Sequence, residues 1–309
     1  MSNKVIIVGS SGQDGTLLAE YLKKRDVEFI GLSRTSPTNI LDFLQVEELI
    51  KKLQPKEIYY LAAYHHSSEE KTGNEIDLWN KSIQTHVNGL VNFLESIYLH
   101  SKKTKLVFAS SSLIYSEAKT EFLNEMSELN PVGPYGVTKV AGMKACRTYR
   151  NHKGVFASNA ILFNHESELR AEKFISKKII KGAVAIQKGL QDSLVLGNLN
   201  SVVDWGAARD YVDAMVKILH HDKPEDFIIA SGVKRTIRDF VTIAFGFLGL
   251  DWKKYVSENS DIVHRVVPAK IGDTKKLREA TGWYPQTSFE ELVRSMLIAE
   301  GGILENNRI

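Results

Sequence analysis

The chain has 309 residues and a mass of 34.7 kDa, with 43% hydrophobic and 25% charged residues and 40 basic against 37 acidic side chains, a formal charge of +3. This is the profile of a globular protein with ample core, in one large domain or two modest ones; it excludes a disordered or collagen-like chain, and so balanced a charge gives no argument for a nucleic-acid partner. One cysteine, Cys146, excludes a disulfide scaffold and paired-cysteine zinc motifs, no stretch approaches the ~20 apolar residues of a membrane span, and MSNKVIIVGSSG breaks at glycine too early for a secretory leader, so a cytoplasmic setting away from membranes is expected.

In chain order, Val5–Gly9 is a short continuous apolar run and Gly15–Arg25 places Leu17, Leu18, Tyr21 and Leu22 at helical spacing. The cycle repeats with Glu28–Leu32, a helix around Val46–Leu53, Glu57–Ala63, a helix around Val87–Tyr98 and Lys105–Ser112. Strands that read as unbroken apolar runs are buried on both faces, and the helices between them are the crossovers of a parallel sheet. A doubly wound, Rossmann-type α/β domain is expected over residues 1–163. The alternation then loosens. Val155–Phe163 and Asp226–Gly232 still read as buried strands, so a smaller lobe over residues 164–309 is expected, interleaved with the sheet through segments near 194–232.

The run V-G-S-S-G-Q-D-G sets Gly9, Gly12 and Gly15, with Ser11, Gln13 and Asp14 between them, at the end of the first strand and the start of the first helix. There the glycines allow a tight turn and close approach of a pyrophosphate, and the helix N-terminus offers free N–H groups. The end of the second strand, GLSRTS, carries Arg34 and no acid, which favours NADP over NAD because a guanidinium suits a 2′-phosphate. Tyr135 and Lys139, four residues apart in PYGVTK, share one helix face, and an ammonium beside a phenol is expected to draw the phenol pKa toward neutrality. Such a tyrosine exchanges a proton with a sugar hydroxyl during hydride transfer. Ser110, Ser111 and Ser112 end a strand where open α/β sheets place their sites, so one of them is expected to bind the same oxygen.

These motifs, together with LQPKEIYYLAA, FASSS, ILFNHES, DWGAARDYVDAM, EDFIIASG and TGW with SFEELV, resemble the extended short-chain dehydrogenase/reductase superfamily, most closely the GDP-mannose 4,6-dehydratase family. The resemblance implies that Tyr135 is the acid/base, that Lys139 orients it and the nicotinamide ribose, and that Ser111 stands at the family's active-site threonine. It also implies cofactor contacts at Asn39, Ile40, Leu61, Ala62, Ala63, His165 and Arg170, and nucleotide-sugar contacts at Asn164, Lys178 and Arg209. A GDP-linked hexose and a homodimer built on the helices around Val87–Tyr98 and Tyr135–Asn151 belong to the same expectation.

The chain departs from the family pattern at specific positions. Leu113 replaces the glutamate that abstracts the C5 proton, Val203 replaces an arginine before DWG, Asn39-Ile40 replaces Asp-Leu, and the arginine-rich loop after the second strand is reduced to TSPT. The first reading is a family-type 4,6-dehydration. A 4-keto reductase or epimerase needs no glutamate at 113, and an NADP-binding paralogue without catalysis is the third reading. His66 and Glu117 are the residues able to replace the missing base. His65-His66 and His220-His221 are read as cleft or surface residues rather than metal ligands, and Cys146 and Trp283 as core.

Overall fold

The computed structural model describes residues 4–64, 74–116, 118–259 and 268–305. The first half runs β1 (Val5–Val8), α1 (Gln13–Lys23), β2 (Phe29–Leu32), α2 (Phe43–Leu53), β3 (Glu57–Tyr60), α3 (Glu75–Ile83), a π-helical turn over Gln84–Asn88, α4 (Gly89–His100) and β4 (Lys105–Ser111). A 3-10 turn over Ser112–Tyr115, β5 (Phe122–Leu123), α5 (Gly133–Lys153) and β6 (Phe156–Leu162) follow. The second half holds β7 (Asn164–Glu166), α6 (Ile175–Gln187), β8 (Leu194–Leu196), β9 (Val202–Val203), β10 (Trp205–Ala207), α7 (Ala208–His220) and β11 (Asp226–Ile229). It ends with β12 (Arg235–Thr236), α8 (Ile237–Phe247), β13 (Val256–Glu258), β14 (Ile271–Gly272), α9 (Lys275–Thr281) and α10 (Phe289–Ala299).

Six strands form one parallel sheet in the order β2-β1-β3-β4-β6-β11. Every residue of β1 is buried, and alternate side chains serve opposite layers: Ile6 and Val8 meet the core under α2, α4 and α5, while Val5 and Ile7 meet the core under α1 and α7. The chain leaves β1 for β2 on one side and returns to β3 on the other. That reversal opens a crevice at the C-terminal ends of β1 and β3, where such sheets bind ligands. At the edge strand β11, Glu125 accepts the Ile228 N–H at 2.8 Å, occupying a position where a further strand would otherwise pair.

The lobe has its own core, in which α6, α8 and α10 pack around Trp205, Phe240 and Phe289. The segments near 194–232, expected to return to the sheet, divide between the two parts. Of these, α7 and β11 pack with the sheet, whereas β8 and β9 pair with β13 and β12 inside the lobe. These strands are two or three residues long, too short to span the sheet. Leu277 of α9 and Trp283, 1% exposed, also return to the sheet's core. The two parts are tied by Asp204, whose buried carboxylate accepts from the Ser231 N–H at 2.8 Å, the Ser231 hydroxyl at 2.6 Å, the Gly232 N–H at 3.0 Å and the Gly272 N–H at 3.1 Å.

Candidate active site

The crevice is a cavity of about 1210 Å³. Gly9 sits at φ +91°, and a Cβ there would lie 2.7 Å from the Ala62 nitrogen, so the turn after β1 can lie against the end of β3 only as glycine. A side chain at Gly15 would collide with the Gly9 carbonyl, which fixes α1 against the turn. No side chain caps α1, whose N-cap is Gly12, so its first N–H groups are left for an anion. Ser11, Gln13 and Asp14 also line the cavity.

Beyond β2, Arg34 lines the cavity beside a knot of hydroxyls in which the Ser33 N–H donates to Ser36 Oγ at 2.8 Å, and Arg34 makes no ion pair among the described residues. Asn39, Ile40, Leu61, Ala62 and Ala63 complete this wall. The Asn39 side chain is also structural, since its oxygen accepts the Leu41 N–H at 3.0 Å in the approach to α2.

Helix α5 begins with Pro134 in its first turn, ends at Gly154 at φ +68°, and buries Tyr135, Thr138, Lys139, Gly142, Met143 and Cys146 along one face. Tyr135 and Lys139 therefore enter the cavity together with Ser111 and Ser110 from the end of β4. Ser110 Oγ is buried with no hydrogen-bond partner among the described residues, and Ser112 is not among the described lining. Burial pushes the Tyr135 phenol up to about 12, against a hydrogen bond from Ser111 and the charge of Arg170, which both lower it. Burial drives Lys139 down to about 7, and its Nζ donates to the Ala109 carbonyl at 2.6 Å, 5.6 Å from the centre of the Tyr135 ring. Desolvation is the largest influence on both groups and works against the expected lowering of the phenol pKa by this lysine.

The ILFNHES segment closes the floor. Gln13 Nε2 donates to the His165 carbonyl at 3.1 Å and Ser167 Oγ donates to Gln13 Oε1 at 2.9 Å. His165 Nε2 lies 3.0 Å from Asp14 and its ring stacks on Tyr211 at 4.7 Å. Burial opposes both charges, but their mutual attraction outweighs it, so Asp14 is held below and His165 above its ordinary value. Asn164 and Arg170 line the same cavity, the latter 3.0 Å from Glu166. Lys178 and Arg209 are not among its described lining. Arg209 instead bridges Glu20 at 2.8 Å and Glu168 at 2.5 Å on the outer face of α7, held there by two carboxylates on neighbouring segments.

Leu113 lies half-buried in the 3-10 turn two residues past Ser111, where its carbonyl packs against Gly136. The carboxylates among the described cavity lining are Asp14 and Asp77, and each is ion-paired, Asp77 with Lys81 at 2.7 Å. The cations Arg34, Lys81, Arg170 and Lys173 outnumber them, so the cavity suits polyanionic ligands. His65, His66 and Glu117 lie outside the described residues. His220 pairs with buried Glu57 at 3.1 Å, and Cys146 and Trp283 are core. Sequence reasoning overlooked His86, which is fully buried with its ring edge-on to Tyr135 at 5.1 Å.

The family model for GDP-mannose 4,6-dehydratases matches residues 36–296. GDP-mannose 4,6 dehydratase 2 of Arabidopsis thaliana is 32% identical over 326 residues, covering 94% of this chain and 85% of that one. The Homo sapiens GDP-mannose 4,6 dehydratase is 29% identical over 351 residues, covering 99% and 93%. Among solved structures, RMD from Pseudomonas aeruginosa, complexed with NADPH, superimposes with a TM-score of 0.83 at 19% identity, covering 96% of this chain and 98% of that one. A Thermus thermophilus UDP-glucose 4-epimerase complex with NAD gives 0.79 at 20% identity, covering 97% and 99%. The fold is thus shared with these structures, and by its sequence the chain belongs to the GDP-mannose 4,6-dehydratase family.

Proposed function

We propose that the protein is an NADP-dependent oxidoreductase acting at C4 of a GDP-linked hexose, by 4-keto reduction or epimerisation without loss of water. The observation that carries this reading is the pairing of the cavity's described carboxylates. Tyr135, Ser111 and Lys139 suit proton exchange at a C4 oxygen, while Asp14 and Asp77 are engaged by His165 and Lys81 and Leu113 has no ionisable group to offer at C5. The substrate class rests on the relatives named for GDP-mannose.

The residues present fit a dinucleotide. The uncapped α1 N-terminus would take the pyrophosphate, Arg34 with Ser33 and Ser36 the 2′-phosphate, and Lys139 the nicotinamide ribose, with the orphaned Ser110 hydroxyl facing the same space. When bound, the nicotinamide supplies or accepts the hydride at C4. Tyr135 gives the C4 oxygen its proton or takes it away, and Ser111, hydrogen-bonded to Tyr135, orients that oxygen. A homodimer through the outer faces of α4 and α5 is part of the reading: Leu99 is 48% and Val137 37% exposed there, and sedimentation equilibrium tests it.

Complete 4,6-dehydration is the second reading, favoured by identity to dehydratases spread over 94% of the chain. It requires a base from outside the described residues, where His66 and Glu117 lie. Mass spectrometry of GDP-mannose incubated with NADP and the protein separates the two readings. The first expects a product lacking two hydrogens, or the C4 epimer, and dehydration that rises in Leu113→Glu. Wild-type release of water at enzyme-like rates, ~1 s⁻¹ or faster, refutes it.

A further inference from the structure

His86 sits on the π-helical turn Gln84–Asn88, fully buried where that turn meets α5 and the segment after β3. Single π turns inside helices are frequent at functional sites. Here the widened turn lies against α5 so closely that a Cβ on Gly142 would come within 2.8 Å of the His86 carbonyl oxygen.

The hydrogen bonds fix the form of the ring. Thr138 Oγ1 donates its single proton toward the Pro134 carbonyl at 2.7 Å, with the Tyr135 carbonyl at 3.2 Å. Carbonyls only accept, so the contact of 2.8 Å between His86 Nδ1 and Thr138 Oγ1 takes its proton from Nδ1. Nε2 receives the Tyr64 backbone N–H at 3.0 Å and is therefore the unprotonated nitrogen. The ring is a neutral Nδ1–H tautomer with both nitrogens engaged, set 85° to the Tyr135 ring at 5.1 Å between centres.

We propose that His86 is a positioning residue for the proton-exchanging Tyr135. Its ring limits where the phenol plane can lie, its Nδ1–H fixes the helical turn carrying Tyr135 through Thr138, and its Nε2 ties that turn to the cavity wall at Tyr64. The proposal rests on the reading of Tyr135 as the acid/base. It differs from a packing role because a phenylalanine of similar size fills the same space and loses both hydrogen bonds. His86→Asn keeps a donor near Nδ1 and discards the link to Tyr64, and His86→Gln keeps an acceptor near Nε2 and discards the link to Thr138.

The experiment uses the full chain with NADP and GDP-mannose, following absorbance of the reduced nicotinamide, with NADPH affinity and thermal midpoint measured in parallel. His86→Phe and His86→Gln are expected to lower kcat about tenfold or more, as small misplacements of a reacting group do. KM and the NADPH dissociation constant should stay within about twofold of wild type, the signature of an interaction that acts on the chemical step. His86→Asn, which keeps the link to Thr138, should lower kcat less than His86→Gln. A His86→Phe protein with wild-type kcat, or one whose KM and NADPH affinity fall in step with kcat, overturns the proposal.

Wild type inert on GDP-mannose would count against the functional reading and leave the positioning claim to a second measurement. In ¹⁵N-histidine-labelled protein with NADPH at pH 8, the signal absent from His86→Phe should have the Nδ1–H pattern, and its ring-current shift should vanish in Tyr135→Leu. An Nε2–H or doubly protonated pattern, or a shift indifferent to Tyr135, refutes the geometry whatever the substrate.

Discussion

Replacing Lys139 with methionine should stabilise the ligand-free protein while damaging its function. The lysine is 1% exposed, and burial lowers its ammonium pKa from the ordinary 10.5 to about 7. A base with a depressed folded value leaves the unfolded chain holding more protons between those two pH values. Folding stability attributable to Lys139 therefore rises with pH through that window, and the full penalty applies below about pH 7. The drop corresponds to a ceiling of about 5 kcal/mol at 1.36 kcal/mol per unit.

Methionine keeps the stem among Phe108 and Tyr135 and removes the charge, but it also removes the donor to the Ala109 carbonyl, a loss of about 1–3 kcal/mol. A net gain of about 2 kcal/mol at pH 7, or about 5 °C in Tm, is expected. Differential scanning fluorimetry from pH 6.5 to 10 without ligand, then with NADPH, reads it. The variant's advantage should be largest at or below pH 7 and shrink as pH approaches 10, while NADPH should stabilise the variant less than wild type. A variant that melts below wild type at pH 7, or an advantage independent of pH, refutes the claim that desolvation governs this lysine.

Arg34→Asp should weaken NADP far more than NAD in a fluorescence titration, because it sets a carboxylate where the 2′-phosphate would lie; equal losses refute the NADP assignment. Tyr135→Phe should lower hydride transfer about 10²-fold or more in single-turnover measurements while NADPH binding persists. Asp226 holds Arg147 at 2.5 Å, Arg150 at 3.0 Å and Asn159 at 2.6 Å, and despite burial these partners keep its carboxyl below the ordinary 3.8. Asp226→Asn should cost about 3 kcal/mol in urea unfolding. A depressed acid contributes stability above its unfolded pKa and loses it as pH falls through the folded one, so that cost should hold from pH 7 to 5 and shrink only below about pH 4.

Much of this architecture is written locally. Val5–Val8, Glu57–Tyr60 and Lys105–Ser111 are continuous apolar runs because both faces of the sheet are covered, and the glycine turn and the Tyr135–Lys139 pair are short-range patterns. Other features depend on what arrives from elsewhere. Gln13 and Asp14 meet His165 and Ser167 across more than 150 residues, and no local signal pairs them. The π turn at His86 is set by close packing of α5, which a 3.6-residue period does not encode, and the two- and three-residue strands of the lobe fall below any periodicity window. Spacing brings Lys139 to Tyr135 without revealing that both are stripped of water, which is why the sequence expectation put the phenol near neutrality.

The size of that discrepancy bears on the direction of chemistry. With Nζ 5.6 Å from the Tyr135 ring centre, a fully charged Lys139 favours the phenolate. That attraction opposes the burial that pushes the phenol up to about 12. Further positive charge beside the phenol would add to the lysine's pull when Tyr135 takes a proton from a sugar hydroxyl. Donation is the easier direction, since at pH 7 the phenol already holds its proton and Ser111 is aligned on it. Anionic phosphates entering a cavity lined by Arg34, Lys81, Arg170 and Lys173 favour the charged form of Lys139, so dinucleotide binding should precede and promote any oxidation. The order is measurable. Proton uptake on NADPH binding, followed with an indicator dye near pH 8, should approach one proton per site in wild type and fall toward zero in Lys139→Met. Equal uptake in both proteins would mean that the proton lands elsewhere and that Lys139 is not the group the dinucleotide charges.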